Sequence, residues 1–204
     1  FGTVVTGTLT DGALSIGDEV EILPSGHKGR VRGLQTHKKK EERAVPGSRT
    51  AVNISGVALE EIQRGEVVAH PNQYQSTRRV DIRLRLLKDI SAPLKHSAEV
   101  KVFLGTAETI AAVRILGAEE LAAGEEGWAQ LELRDPLVCV RGDRLILRRP
   151  SPGETLGGGI IVDPHPKGRH KRFDESVLKS LESLSHGSPA DVLLEAAFAL
   201  GLAH

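Results

Sequence analysis

Three stretches of this chain gather cationic side chains in a way that suits binding to a polyanion. Lys28, Arg30, Arg32, Lys38, Lys39, Lys40 and Arg43 crowd the first, Arg141, Arg144, Arg148 and Arg149 the second, and Lys167, Arg169, Lys171 and Arg172 the third. Acidic residues collect elsewhere, as at Glu119-Glu120 and Glu125-Glu126, so a formal net charge of zero conceals a segregated surface. Charge separated in this way can hold a polyanion on one face while the molecule stays neutral overall. The plainer reading of each cluster is a solvated loop. Aromatic residues make up only 3% of the chain, which argues against rows of Tyr or Phe stacking on single-stranded bases.

Other chemistries find little support. No Ser, His and Asp set, no paired carboxylates in a recognisable context and no nucleotide-binding motif is present. Gly157-Gly158-Gly159 lacks the strand, Gly-Lys-Ser/Thr and helix context of a phosphate cradle, and close packing of a final strand is the better reading. Asp163, His165 and His170 match no established metal-ligand spacing, and two prolines intervene, so no metal site is expected. Cys139, placed in a strand between Val138 and Val140, has no second cysteine to pair with, which fits a reducing, cytoplasmic setting. No apolar run approaches membrane-spanning length and no signal peptide is visible, so no membrane partner is expected.

These residues must be carried by strands. Thr3 to Leu9 is rich in β-branched residues and meets a turn at Asp11-Gly12. Further strands are expected at Glu19 to Leu23, Lys28 to His37, Ser48 to Ser55 and Glu66 to Ala69, closing a first barrel over residues 1–71. Residues 72–76 read as a linker. In Val80 to Leu86 the period is two, with Val80, Ile82, Leu84 and Leu86 on one face and charged residues on the other. Strands at Glu99 to Leu104, Thr109 to Leu116, Trp128 to Leu133, Arg144 to Arg148 and Ile160 to Val162 complete a second antiparallel barrel over residues 77–164. Residues 165–204 form a basic connector and two helices, the first capped by Asp174 with Val177, Leu178, Leu181 and Leu184 on one face, the second starting at Ser188. The fold class is therefore mainly β, two consecutive barrels and a short, truncated α-helical segment. A chain that opens mid-strand without Met reads as a piece of a longer protein.

The order FGTVVTGTL, LSIGDEVEILP, RVRGLQTHKKK, PGSRTAVNISGV and IQRGEVVAHP resembles the second domain of the elongation factor Tu class of translational GTPases. RGDRLILRRPSPGETLGGGIIVDP is similar to the end of the third domain of that class. RVRGLQTHKKK, LKHSAEVKVFLGTAE and TLGGGIIVDPHP, followed by a basic run and helices, resemble the selenocysteine-specific branch, SelB, whose barrels precede winged-helix domains. The resemblance implies that Val4 and Gln35 line the pocket for the terminal adenosine of tRNA. It places Thr6, His37 and Arg49 beside the aminoacyl group, Lys38 on the backbone of the 3′ end and Arg64 at the 5′ end. Thr106, Thr109, Arg148 and Arg149 fall near the regions that grip the acceptor and T stems through phosphate and sugar.

At position 49 elongation factor Tu has an Asn where SelB-like sequences have Arg, and chemistry gives the swap a reason. A thiol with a pKa of about 8.5 is mostly protonated at neutral pH, whereas the more acidic selenol is largely ionised. A guanidinium cannot lose its proton and would favour selenolate over the neutral hydroxyl of serine, the precursor on the same tRNA. Protonated His37 would add to that field. The alternative for Arg49 is a surface ion pair with Glu41 or Glu42.

The resemblance implies a monomeric module that binds selenocysteinyl-tRNA and is no catalyst itself. GTP and Mg would belong to a G domain outside this sequence, the ribosome would be a partner of the parent, and the messenger RNA element would be read by later winged-helix domains. The alternatives are a factor of the same class carrying ordinary or initiator tRNA, and a DNA-binding regulator that uses the helical tail as a helix-turn-helix.

Overall fold

A computed structural model describes residues 2–186, and the chain divides into two compact units at Ser76/Thr77. The second expected helix, from Ser188, lies outside the described residues.

The first unit contains β1 (Thr3–Thr8), β2 (Leu14–Ser15), β3 (Glu19–Leu23), β4 (His27–Thr36), β5 (Lys39–Glu41), β6 (Arg43–Ala44), β7 (Arg49–Ser55) and β8 (Val67–Ala69). The ladder runs β1-β7-β4-β3-β8 with β5 on the side of β4, while β2 pairs with β6. Alternation supplies the core: Val20 and Ile22 of β3 and Val52 and Ile54 of β7 point inward, and Leu14 and Ala44 bring the β2–β6 pair onto the same cluster. In β4 the alternation slips, because a bulge between Val31 and Gly33 lets Val31 and Leu34, three residues apart, both face the core.

One boundary departs from expectation with consequences for the site. The strand expected to reach His37 stops at Thr36, since His37 and Lys38 take φ of 50° and 65° and fold the chain back into β5. Two successive positive φ values are what a two-residue hairpin turn requires. The Lys-rich run is therefore a turn and an antiparallel strand.

The second unit contains β9 (Ser76–Leu86), β10 (Leu94–Lys95), β11 (Glu99–Leu104), β12 (Ala107–Leu116), β13 (Glu120–Leu121), β14 (Glu126–Val138), β15 (Arg144–Arg149), β16 (Glu154–Asp163) and α1 (Glu175–His186). Six of these strands close a barrel in the order β11-β12-β14-β9-β16-β15, and β10 pairs with β13. Val80, Ile82, Leu84 and Leu86 all lie in its core, as the period-two pattern requires. The glycine run is inside β16: a Cβ on Gly157 would stand 2.2 Å from the Arg85 carbonyl oxygen, and one on Gly159 2.9 Å from that of Arg83. Backbone approach, not phosphate, explains these glycines.

Cys139 falls just beyond the end of β14 instead of within a strand, yet it stays in the barrel core. Burial first, then Asp143 and Asp163, push its thiol up to about 12. Because the thiolate is the reacting species, alkylation by iodoacetamide at pH 8 is expected to be at least about 100-fold slower in the folded chain than in urea-unfolded chain. Equal rates in both states would show that the barrel end opens freely.

The end of the described chain packs against the second barrel. The Asp174 carboxylate caps α1, accepting from the backbone N (3.0 Å) and hydroxyl (2.6 Å) of Ser176, and those bonds hold it below the usual carboxylate range. The expected apolar face of α1, Val177, Leu178, Leu181 and Leu184, packs on Leu116, Trp128 and Val162 of the barrel. Residues 165–186 thus lie in the compact second unit, with no break at Pro164. Among the described residues no helix is long and apolar enough to cross a membrane.

Candidate nucleic-acid interface

The register of the first unit assembles most of the residues singled out above on one sheet face. Thr6 of β1 lies opposite Ala51 of β7, Ala51 opposite Gln35 of β4, and Gln35 opposite Lys40 of β5, so one row crosses four strands. The row on one side holds Val4, Asn53 and Gly33, and on the other Thr8 lies opposite Arg49. Since side chains two residues apart share a face, Val4, Thr6 and Thr8 project together with Arg49, Ala51 and Asn53. Ala51 and Gly33 keep the middle of the face low. The inward residues of the same strands anchor it; Thr36 and Thr50 meet hydroxyl to hydroxyl at 3.3 Å beneath it.

Thr6, Gln35 and Arg49 are exposed, and Val4 is 54% exposed, a large apolar side chain on an otherwise polar surface. The Arg49 guanidinium forms no ion pair or hydrogen bond with any described residue, so the pairing with Glu41 or Glu42 weighed above is not made. A guanidinium left without a carboxylate is available to an anionic ligand. His37 and Lys38 occupy the turn between β4 and β5, both exposed. Arg64 is exposed on the loop leading into β8, at the opposite end of the ladder from β1; the structure does not bring it into the rows with Arg49.

Sequence reasoning passed over two members of this face. Lys40 sits cross-strand from Gln35, and recognising β5 as a strand would have found it. Asn53 lies between Val4 and Gly33, and its Oδ1 is shut off from solvent with no partner.

In the second unit the four stem-contact candidates separate. Thr106 is exposed at the tight turn joining β11 to β12. Thr109 is 3% exposed, and its hydroxyl donates to Asp135 Oδ2 (3.2 Å) while accepting from the Asp135 backbone N (3.0 Å). That hydroxyl is committed inside the protein and does not reach a phosphate. Arg148 is exposed on β15 opposite Lys101. Arg149 instead is tied down at the end of its strand: Nε donates to Glu154 at 3.0 Å and Nη2 to the Ala92 carbonyl at 2.9 Å. Glu154 also accepts from the backbone N and hydroxyl of Ser91, and these bonds, with Arg149, hold its carboxyl below the usual glutamate range.

The histidines have distinct partners. His165 donates its backbone N to Asp163 at 2.8 Å, whereas His170 Nε2 meets Asp81 Oδ2 at 2.6 Å. Asp81, expected on the solvent side of β9, is 1% exposed and also accepts from Gln130 Nε2 at 2.9 Å. Burial pushes the Asp81 carboxyl up, against the opposing pull of His170 and Gln130.

Comparison with known proteins gives these faces a family. Residues 2–69 match elongation factor Tu domain 2, and residues 77–168 match the β-barrel domain of selenocysteine-specific elongation factor. The selenocysteine-specific elongation factor of Desulfomicrobium baculatum is 41% identical over 95% of this chain. The chain is homologous to selenocysteine-specific elongation factors. A second member, from Haemophilus influenzae, is 27% identical over 85% of the chain, and elongation factor 1-alpha of Saccharolobus solfataricus is 42% identical over 71 residues, 35% of this chain and 16% of its own length. A crystal structure of a bacterial selenocysteine-specific elongation factor superposes with a TM-score of 0.77 at 26% identity, covering 95% of this chain and 30% of the other. The chain spans 30% of the Desulfomicrobium protein and 27% of the Haemophilus one. The second matched segment begins at Thr77, where the second compact unit of the structure also begins.

Proposed function

We propose that this chain supplies the tRNA-binding β domains of a factor that delivers selenocysteinyl-tRNA to the ribosome in a GTP-dependent way. The observation that carries this reading is the unpaired, exposed Arg49 guanidinium beside Thr6, Gln35 and Val4 on one sheet face. Val4 offers an apolar platform for the terminal adenine, Gln35 and Lys40 offer polar contacts to the ribose and phosphate of the 3′ end, and Arg49 offers its fixed charge to the selenolate. His37 and Lys38 at the hairpin turn border the same end of the tRNA, Arg64 serves the 5′ end, and exposed Thr106 and Arg148 remain for the stem. The face holds and selects without transforming its ligand. GTP and Mg would be held by a G domain of the whole protein, and the messenger RNA element by its later domains.

The test uses the full-length protein in filter binding. Selenocysteinyl-tRNA should bind tightly with GTP and much more weakly with GDP, ahead of seryl-tRNA, while duplex DNA should compete no better than any polyanion. Equal retention of ordinary aminoacyl-tRNAs would instead identify a general factor of the same class.

A further inference from the structure

The third basic cluster has no part in the face just described. Residues 164–173 form a strap across three adjacent barrel strands. His170 binds Asp81 of β9, the Gln130 side chain of β14 donates to the Gly168 carbonyl (3.0 Å) and accepts from the His170 backbone N (3.2 Å), and Arg114 Nε of β12 donates to the His170 carbonyl (2.7 Å). Further on, Arg172 reaches the carbonyls of Ile115 and Ala118, and the Gly117 backbone N donates to the Arg172 carbonyl. The strap walls one side of a small surface hollow, lined among others by His96, Ser97, Arg114, Gln130, Glu132 and Arg169.

The hollow is rich in donors and poor in acceptors. Arg114 meets only the His170 carbonyl, through Nε, which leaves its terminal nitrogens uncommitted. Arg169 is exposed and has no ion pair or hydrogen bond with a described residue. The one carboxylate on the wall, Glu132, is already paired with Arg79 at 2.9 Å. Ser97 is held with φ of 64°, an uncommon conformation for a non-glycine residue, and the neighbouring His96 Nδ1 is shut off from solvent with no partner. Burial lowers both His96 and Arg114, and after burial the guanidiniums of Arg169 and Arg172 lower each further, against the opposing pull of Glu119 on His96 and of Glu132 on Arg114. Arg172 is paired with Glu119 at 3.0 Å, which leaves Arg114 and Arg169 as the cations in excess, and such an excess attracts an oxyanion.

We propose that this hollow binds a tetrahedral oxyanion of the phosphate class, held by the guanidiniums of Arg114 and Arg169 with Ser97 at its edge. Such an anion comes either from an RNA backbone or from free inorganic phosphate. The site is independent of the Arg49 face and of the reading attached to it.

The test titrates inorganic phosphate into the isotopically labelled 204-residue chain at low ionic strength, following the His96 ring by NMR. A saturable shift is expected at His96, and Arg169→Gln should weaken it about tenfold, the share of one charge-assisted hydrogen bond. Arg169 is exposed, so this variant should fold, and its amide spectrum checks that it does. Arg141→Gln removes the same charge from an exposed turn before β15, outside the hollow, and should leave the titration unchanged. A short RNA duplex identifies the source: displacement of phosphate together with weaker RNA binding by Arg169→Gln assigns the anion to an RNA backbone, whereas RNA binding indifferent to Arg169→Gln assigns it to free phosphate. The proposal is overturned if phosphate gives no saturable shift at His96, or if Arg141→Gln and Arg169→Gln weaken it equally.

Discussion

Arg49→Asn in the full-length protein is expected to reduce its preference for selenocysteinyl- over seryl-tRNA by roughly 30-fold, with little change in seryl-tRNA affinity. The magnitude follows from shielding. Two unit charges 4 Å apart attract by about 1 kcal/mol in bulk water and about 4 kcal/mol at the effective dielectric of a partly covered protein site. Arg49 is exposed in this chain, so only the bound tRNA end and the rest of the protein can cover it, and about 2 kcal/mol is the middle course, which at 1.4 kcal/mol per tenfold gives the stated ratio. Asn presents a dipole at the same place and serves serine as well as selenocysteine. Arg49→Lys should fall between the two, because it keeps the charge and loses the planar fork. Equilibrium binding of both charged tRNAs to the three proteins checks this; unchanged discrimination in Arg49→Asn would remove the guanidinium from the selection.

The residues of the Arg49 face came from resemblance, not from pattern: the matching motifs named Val4, Thr6, Gln35 and Arg49. Alternation located the strands that carry them, but only the register of β1, β4 and β7, with the bulge between Val31 and Gly33, sets the four on one side. The β5 hairpin was not legible, since its turn is His37-Lys38, without the Asn or Gly that marks such turns in sequence. Lys40 was therefore read as part of a charged run and not as a member of the face. In the second unit, the misplaced site expectations concern polar side chains whose partners lie outside their own strand. Thr109 finds Asp135, and Arg149 finds Glu154 across a short turn and Ala92 far back in the chain. Asp81 alternates with the core residues and belonged by pattern in solvent, until Gln130 and the strap carrying His170 closed over it. Alternation tells which face a residue takes; it cannot tell what later crosses that face.

Gly157→Ala is expected to destabilise the second unit by about 4 kcal/mol, at the upper end of what single substitutions do. The reason is contact with backbone. A Cβ at this position would lie 2.2 Å from the Arg85 carbonyl oxygen and 2.9 Å from the Leu86 Cα, and neither can swing aside as a side-chain tip would. Gly157 pairs with Leu86 of β9 on one side and Leu147 of β15 on the other, next to the bulge between Leu147 and Arg148. A closed barrel has no free edge toward which β16 could shift, so separating it from β9 breaks a ladder on which closure depends. The flanking core residues Leu84, Leu86 and Leu156 would lose packing at the same time. Gly168→Ala is the control, because nothing stands within 4 Å of its Cβ, and it should lie within about 0.5 kcal/mol of the parent. Urea unfolding followed by Trp128 fluorescence reads this unit alone, since the chain's single tryptophan is on β14 beneath α1. A loss below about 1 kcal/mol, no larger than that of an ordinary surface change, would mean that β9 and β16 can move apart without opening the barrel.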